Sequence, residues 1–92
     1  MTLVKHDLTT AGWTLIGDNV ATISVQNAGQ FPYYLNFNAT NSAPSENFGF
    51  IRHPGEAPIT KAAVTSLTHK ATPNYVFAKA LSKNTSVIVE TP

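Results

Sequence analysis

The 92-residue sequence reads as a single all-β domain, an antiparallel β-sandwich or small barrel of about seven strands, preceded by an extended N-terminal arm. Three observations carry this reading. Short segments alternate apolar and polar residues with a period of two, which lines one face of a strand and cannot line one face of a helix. Gly, Asn and Pro clusters punctuate the chain roughly every ten residues, the spacing of a sandwich or barrel. The length suits one domain, and 42% apolar content with 10% aromatics can fill its core.

Residues 1–12 are taken as an arm. Leu3, Val4 and Leu8 are scattered among polar side chains, so its ordering is expected to depend on docking. The sandwich proper is assigned to 13–92. Trp13–Ile16 and Val20–Gln26 flank a Gly17-Asp18-Asn19 turn and together suggest a hairpin. In the second segment Ala21, Ile23 and Val25 oppose Thr22, Ser24 and Gln26. Phe31–Asn38 is the clearest strand, with Phe31, Tyr33, Leu35 and Phe37 on one face. Pro32, which lacks an N–H, places the strand start or a sheet edge there.

Ala39–Asn47 is a loop of small polar residues. Phe48–Arg52 is a strand, and His53-Pro54-Gly55-Glu56 a type II turn with glycine supplying the positive φ. Ile59–Leu67 reads as one bent strand or two short pieces. A helix over Thr60–Thr68 competes, opposed by the β-branched Thr60, Val64 and Thr65. Tyr75–Ala80 and Ser86–Glu90 close the chain as strands. The expected core is Ile23, Val25, Tyr33, Leu35, Phe37, Phe50, Val64, Val76, Ala78, Val87 and Val89.

Composition excludes several functions. There are no cysteines, hence no disulfide scaffold and no thiolate zinc site. A net charge of +1 gives no excess of cations to neutralise a phosphate backbone, so no nucleic-acid partner is expected. No apolar run approaches a membrane span, and no membrane partner is expected. His53, Glu56 and His69 lack metal-ligand spacing, the five carboxylates are scattered, and no nucleophile or phosphate-loop motif occurs. The expectation is a non-enzymatic protein without a cofactor.

Charged residues are 12% of the chain, about half the usual share of roughly 25%. Several strands are also apolar on both faces: Tyr34 opposes Tyr33 and Leu35, Tyr75 and Phe77 oppose Val76 and Ala78, and Ile88 opposes Val87 and Val89. A two-sheet sandwich buries one face of each strand. The second face is therefore expected to be covered by a loop or arm, or by another subunit. Tyr34, Tyr75, Phe77 and Ile88 are the candidate contact face, and the arm residues Thr2, Leu3, Val4 and Leu8 the candidate reach to a neighbour. A carbohydrate-binding alternative rests on Trp13, Asn36 and Asn38, with Tyr34 and Tyr75 as further stacking candidates. Packing of Trp13 and the tyrosines in the core or an interface is the reading preferred for them.

The order of features resembles small structural proteins of tailed-bacteriophage virions. It runs from Trp13-Thr14-Leu15-Ile16 through Ile23-Ser24-Val25-Gln26-Asn27-Ala28-Gly29, Phe48-Gly49-Phe50-Ile51 and Pro54-Gly55-Glu56 to Tyr75-Val76-Phe77-Ala78 and Ser86-Val87-Ile88-Val89-Glu90. The resemblance spans nearly all of 13–90. It implies a virion location and a capsid decoration (cement) protein, or a tail or head-fibre accessory module. Its implied partners are the major capsid protein or other virion subunits and copies of itself, with a trimer favoured. It carries over no catalytic residue.

Overall fold

Period-two segments bury their apolar faces when two sheets pack against each other. The computed structural model, which describes residues 2–92, shows this arrangement. Eight strands form: β1 (Thr2–Leu8), β2 (Thr14–Gly17), β3 (Thr22–Asn27), β4 (Tyr33–Asn38), β5 (Phe50–Arg52), β6 (Ile59–Ala63), β7 (Tyr75–Ala80) and β8 (Thr85–Thr91). One 3₁₀ turn, Val64–Ser66, follows β6. Among the described residues there is no α-helix. The sheets run β1-β8-β3-β6 and β2-β7-β4-β5, and every pair is antiparallel. The pairs β1·β8, β2·β7, β3·β6 and β4·β5 nest like one long hairpin folded over on itself. The β8·β3 and β7·β4 ladders seal the fold-over. This winding is a jelly roll.

The alternating strands place the core as the sequence indicates. Tyr33, Leu35 and Phe37 of β4 meet Val76 and Ala78 of β7 from one sheet, and Ile23, Val25, Val87 and Val89 enter from the other, all buried. Val64 on the 3₁₀ turn also reaches this core, its N–H donating to the Ala21 carbonyl at 2.9 Å. β4 begins at Tyr33, directly after Pro32. The Pro54-Gly55 turn forms with Gly55 at φ +85° and the Glu56 N–H on the His53 carbonyl at 3.4 Å, as type II geometry requires.

Four expectations are corrected. The segment taken as an arm is β1, paired residue for residue with β8 from Thr2↔Thr91 to Leu8↔Thr85. It does dock, but onto its own chain, and Leu8 is core. Trp13–Ile16 and Val20–Gln26 do not form a hairpin. β2 pairs with β7 and β3 with β8 and β6, so the intervening turn crosses between sheets. Ile16 and Ile23 thereby enter one core from opposite sides. Ile59–Leu67 is one strand followed by a 3₁₀ turn, not two strands or a helix. Phe50 is 55% exposed rather than core. It sits on a three-residue edge strand opposite Leu35, with a sheet neighbour on one side only. The core gains Leu8, Ile16, Ile59 and Ala80.

Candidate functional site

The residues that carry the chain's polar chemistry gather on the outer face of the β2-β7-β4-β5 sheet. Strand alternation there turns Leu15, Phe77 and Asn36 outward in one cross-strand row. The loop between β4 and β5 crosses this face and is fastened at several points. Trp13 Nε1 donates to the Glu46 carbonyl at 3.0 Å, and Lys79 Nζ donates to the Asn47 carbonyl at 3.0 Å. Lys79 Nζ also lies 5.6 Å from the centre of the Trp13 ring, within cation–π range. Asn36 Nδ2 donates to Glu46 Oε1 at 3.1 Å and to the Phe48 carbonyl at 3.0 Å. A Cβ on Gly49 would run into the Leu35 carbonyl oxygen, so the returning chain lies directly against the β4 backbone and needs glycine there.

Lys70 completes the fastening. Its ammonium donates to Asn36 Oδ1 and the Phe37 carbonyl, both at 2.9 Å, and to Glu46 Oε1 at 3.0 Å. All three of its protons are then committed. Asn36, only 7% exposed, is equally committed: both amide protons donate, and Oδ1 accepts from Lys70 and from the Phe37 N–H. Hydrogen bonds from Lys70 and Asn36, with the Lys70 charge, hold the Glu46 carboxyl below its ordinary range. Glu46 is thus an ionised acceptor whose task is structural. The arrangement ties a strap to a sheet.

The strap explains one residue and exposes others. Phe77 is 4% exposed yet lies outside the central core cluster, buried instead on the strapped face. Where the strap returns to β5, Phe48 stands 59% exposed beside Phe50 and Ile51. Phe48 and Phe50 form an apolar rim to a cleft of about 250 Å³ lined also by Asn36, Glu46 and Lys70, while Ile51, opposite Tyr34, turns to the other face of β5.

The expected contact face is not one face. Tyr34 and Tyr75 are half-buried on the strapped sheet, Phe77 is buried there, and Ile88 points from β8 out of the opposite sheet. Leu3 shares that opposite outer face with Ile88, the two lining an open groove of about 250 Å³ with Gln26 and Glu90. Thr2, Leu3 and Val4 are exposed on the edge strand β1, whereas Leu8 is buried. Trp13 and Asn36, offered for sugar binding, do converge, but on Glu46 of the strap. Asn38 is spent on the same loop, through the Ser42 carbonyl at 2.8 Å and the Ala39 N–H at 2.9 Å. Glu56 accepts from the His53 N–H and pairs with Arg52 at 3.7 Å. Among the described residues no three His, Cys, Asp or Glu side chains gather as a metal site.

Sequence reasoning missed the rim. Its signal was present: Phe48-Gly49-Phe50-Ile51 is apolar on both faces, the same pattern that marked β7 and β8. No protein-family model matches this chain, and neither a curated protein nor a solved structure matches it.

Proposed function

We propose that this chain is a non-enzymatic virion structural protein of the capsid-decoration type, binding the assembled shell through exposed apolar surface. The observation that carries the reading is the exposed Phe48–Phe50 rim, beside a strap that Lys70 and Asn36 tie to the sheet, on a domain with few charges. Exposed apolar clusters on small soluble domains mark interaction surfaces, and aromatic anchors are what such surfaces are built on. The jelly roll serves viral shell and lectin domains alike, so it agrees with the reading without selecting it. The partners in this reading are the major capsid protein or another virion subunit.

Two measurements test it. Mass spectrometry of gradient-purified tailed-phage particles from the lysate that yields the chain should find it at a fixed ratio to the major capsid protein. Recombinant chain should bind particles saturably, and Phe48→Ser with Phe50→Ser should abolish binding while leaving the melting transition in place. Absence from banded particles overturns the proposal. A melting temperature raised by free glycans, lost on changing the same rim, would replace it with carbohydrate recognition.

A further inference from the structure

A two-sheet sandwich has four edge strands, each presenting unpaired main-chain groups that invite another strand. Three of them are blunted in this chain. β5 has three residues and runs into Pro54. β2 has four, with its register broken before Gly17. β6 carries Lys61 at φ +45°, and its register against β3 breaks between Ile23 and Val25. β1 differs: it is seven residues long, unbroken in register, and has β8 on one side and no strand on the other.

A lysine in mid-strand ordinarily protects such an edge from pairing. Here Lys5 is followed two residues on by Asp7, and both face outward, opposite Ile88 and Ser86. Val4, His6 and Leu8 face inward. Suppose a second copy of β1 pairs antiparallel with the first, outer residues against outer. Each register is then named by the residue on the two-fold axis. With Lys5 on the axis, lysine meets lysine. With Asp7 on it, aspartate meets aspartate. With Val4 on it, Lys5 meets Leu3 and not Asp7. Only with His6 on the axis does Lys5 face Asp7 of the second copy, twice over by symmetry. That register also sets Val4, inward-facing but 40% exposed at the flank, beside Leu8 of the second copy. Opposite charges in directly opposed positions stabilise a pair and like charges disfavour it, so one register is selected and its neighbours are penalised.

We infer that β1 is a homodimerisation edge, joining two copies antiparallel about His6 into one continuous eight-stranded sheet with Lys5 paired to Asp7 across the axis. The dimer is isologous, as two-fold interfaces are. It stands apart from the virion reading, because it concerns how two copies meet and not what they attach to.

Light scattering on the eluted protein tests it together with charge variants. The wild-type chain should run as a dimer. Lys5→Glu and Asp7→Lys should each weaken association by about tenfold or more, because each sets like charges opposite each other twice. The double exchange Lys5→Glu/Asp7→Lys should return it to near the wild-type value. The register has its own test, since the chain has no cysteine. His6→Cys places two sulfurs on the axis, where opposed Cα atoms about 4.5–5.5 Å apart suit a disulfide. It should cross-link under mild oxidation, whereas Val4→Cys, opposite Leu8, should not. A monomer or a trimer overturns the inference. So does a dimer indifferent to the charge variants, or one that cross-links equally through Val4→Cys.

Discussion

The two outer faces of this sandwich began from the same problem and met it differently. On β7, Phe77 points away from the core, and on β8, Ile88 does the same. On the β2-β7-β4-β5 sheet a loop crosses the face, fastened by Trp13, Asn36, Lys70 and Lys79, and Phe77 is buried. On the β1-β8-β3-β6 sheet no such strap exists among the described residues, and Ile88 and Leu3 are left beside an open groove. Apolar residues on both faces of a strand therefore do not by themselves identify a docking surface. The chain has covered one face itself and left the other open.

Variants can break or sharpen this contrast. The largest expected effect is at Phe77. Phe77→Ala should cost about 3–5 kcal/mol in denaturant unfolding, the usual loss for a buried phenylalanine. Asn36→Ala should cost about 1–3 kcal/mol, because it strips a buried network of four hydrogen bonds. Ile88→Ala, on the bare face, should cost about 1 kcal/mol or less, since a half-buried side chain loses only part of its transfer energy. Equal losses at Phe77 and Ile88 would erase the distinction between the faces.

Titration separates the strap from the sheets beneath it. Glu46 has its pKa depressed in the folded chain, so its contribution is present above the ordinary carboxylate range and is lost as pH falls through the folded value. Loosening of the strap in acid, read as a change in Trp13 fluorescence before the main unfolding transition, is the smallest expected effect. Tyr33, at the base of β4, behaves oppositely. Burial pushes its pKa up to about 12, so the stability it confers is intact below pH 10 and is lost as pH rises toward 12. Alkaline unfolding in that window should therefore begin at the core.

What the sequence made legible was the inner face of the strongly alternating strands β3, β4, β7 and β8. Tyr33, Leu35 and Phe37, or Val76 and Ala78, alternate against polar or half-buried neighbours, and that local signal survives into the fold. Partner choice was not legible. Trp13–Ile16 and Val20–Gln26 are close in sequence with a turn between them, but nothing local distinguishes a hairpin from a crossing between sheets. Burial of Ile16 and Ile23 in one core decides that. β1 was hidden for a different reason. At a half-solvated flank both its faces mix polar and apolar residues, Leu3-Lys5-Asp7 against Val4-His6-Leu8, so no alternation marks it. The strap was hidden because its fastenings join residues far apart in the chain, Trp13 to Glu46 and Asn36 to Lys70, whose side chains read singly as sugar ligands or solvated charges.

Hydroxyl-radical footprinting of the free chain, read by mass spectrometry, compares three residues of one intrinsic reactivity in a single experiment. Phe77 should label far more slowly than Phe48 and Phe50, in keeping with 4% exposure against 59% and 55%. Labelling of Phe77 at the rate of the other two would mean that the strap does not cover its face, and the contrast between the two outer faces would be wrong.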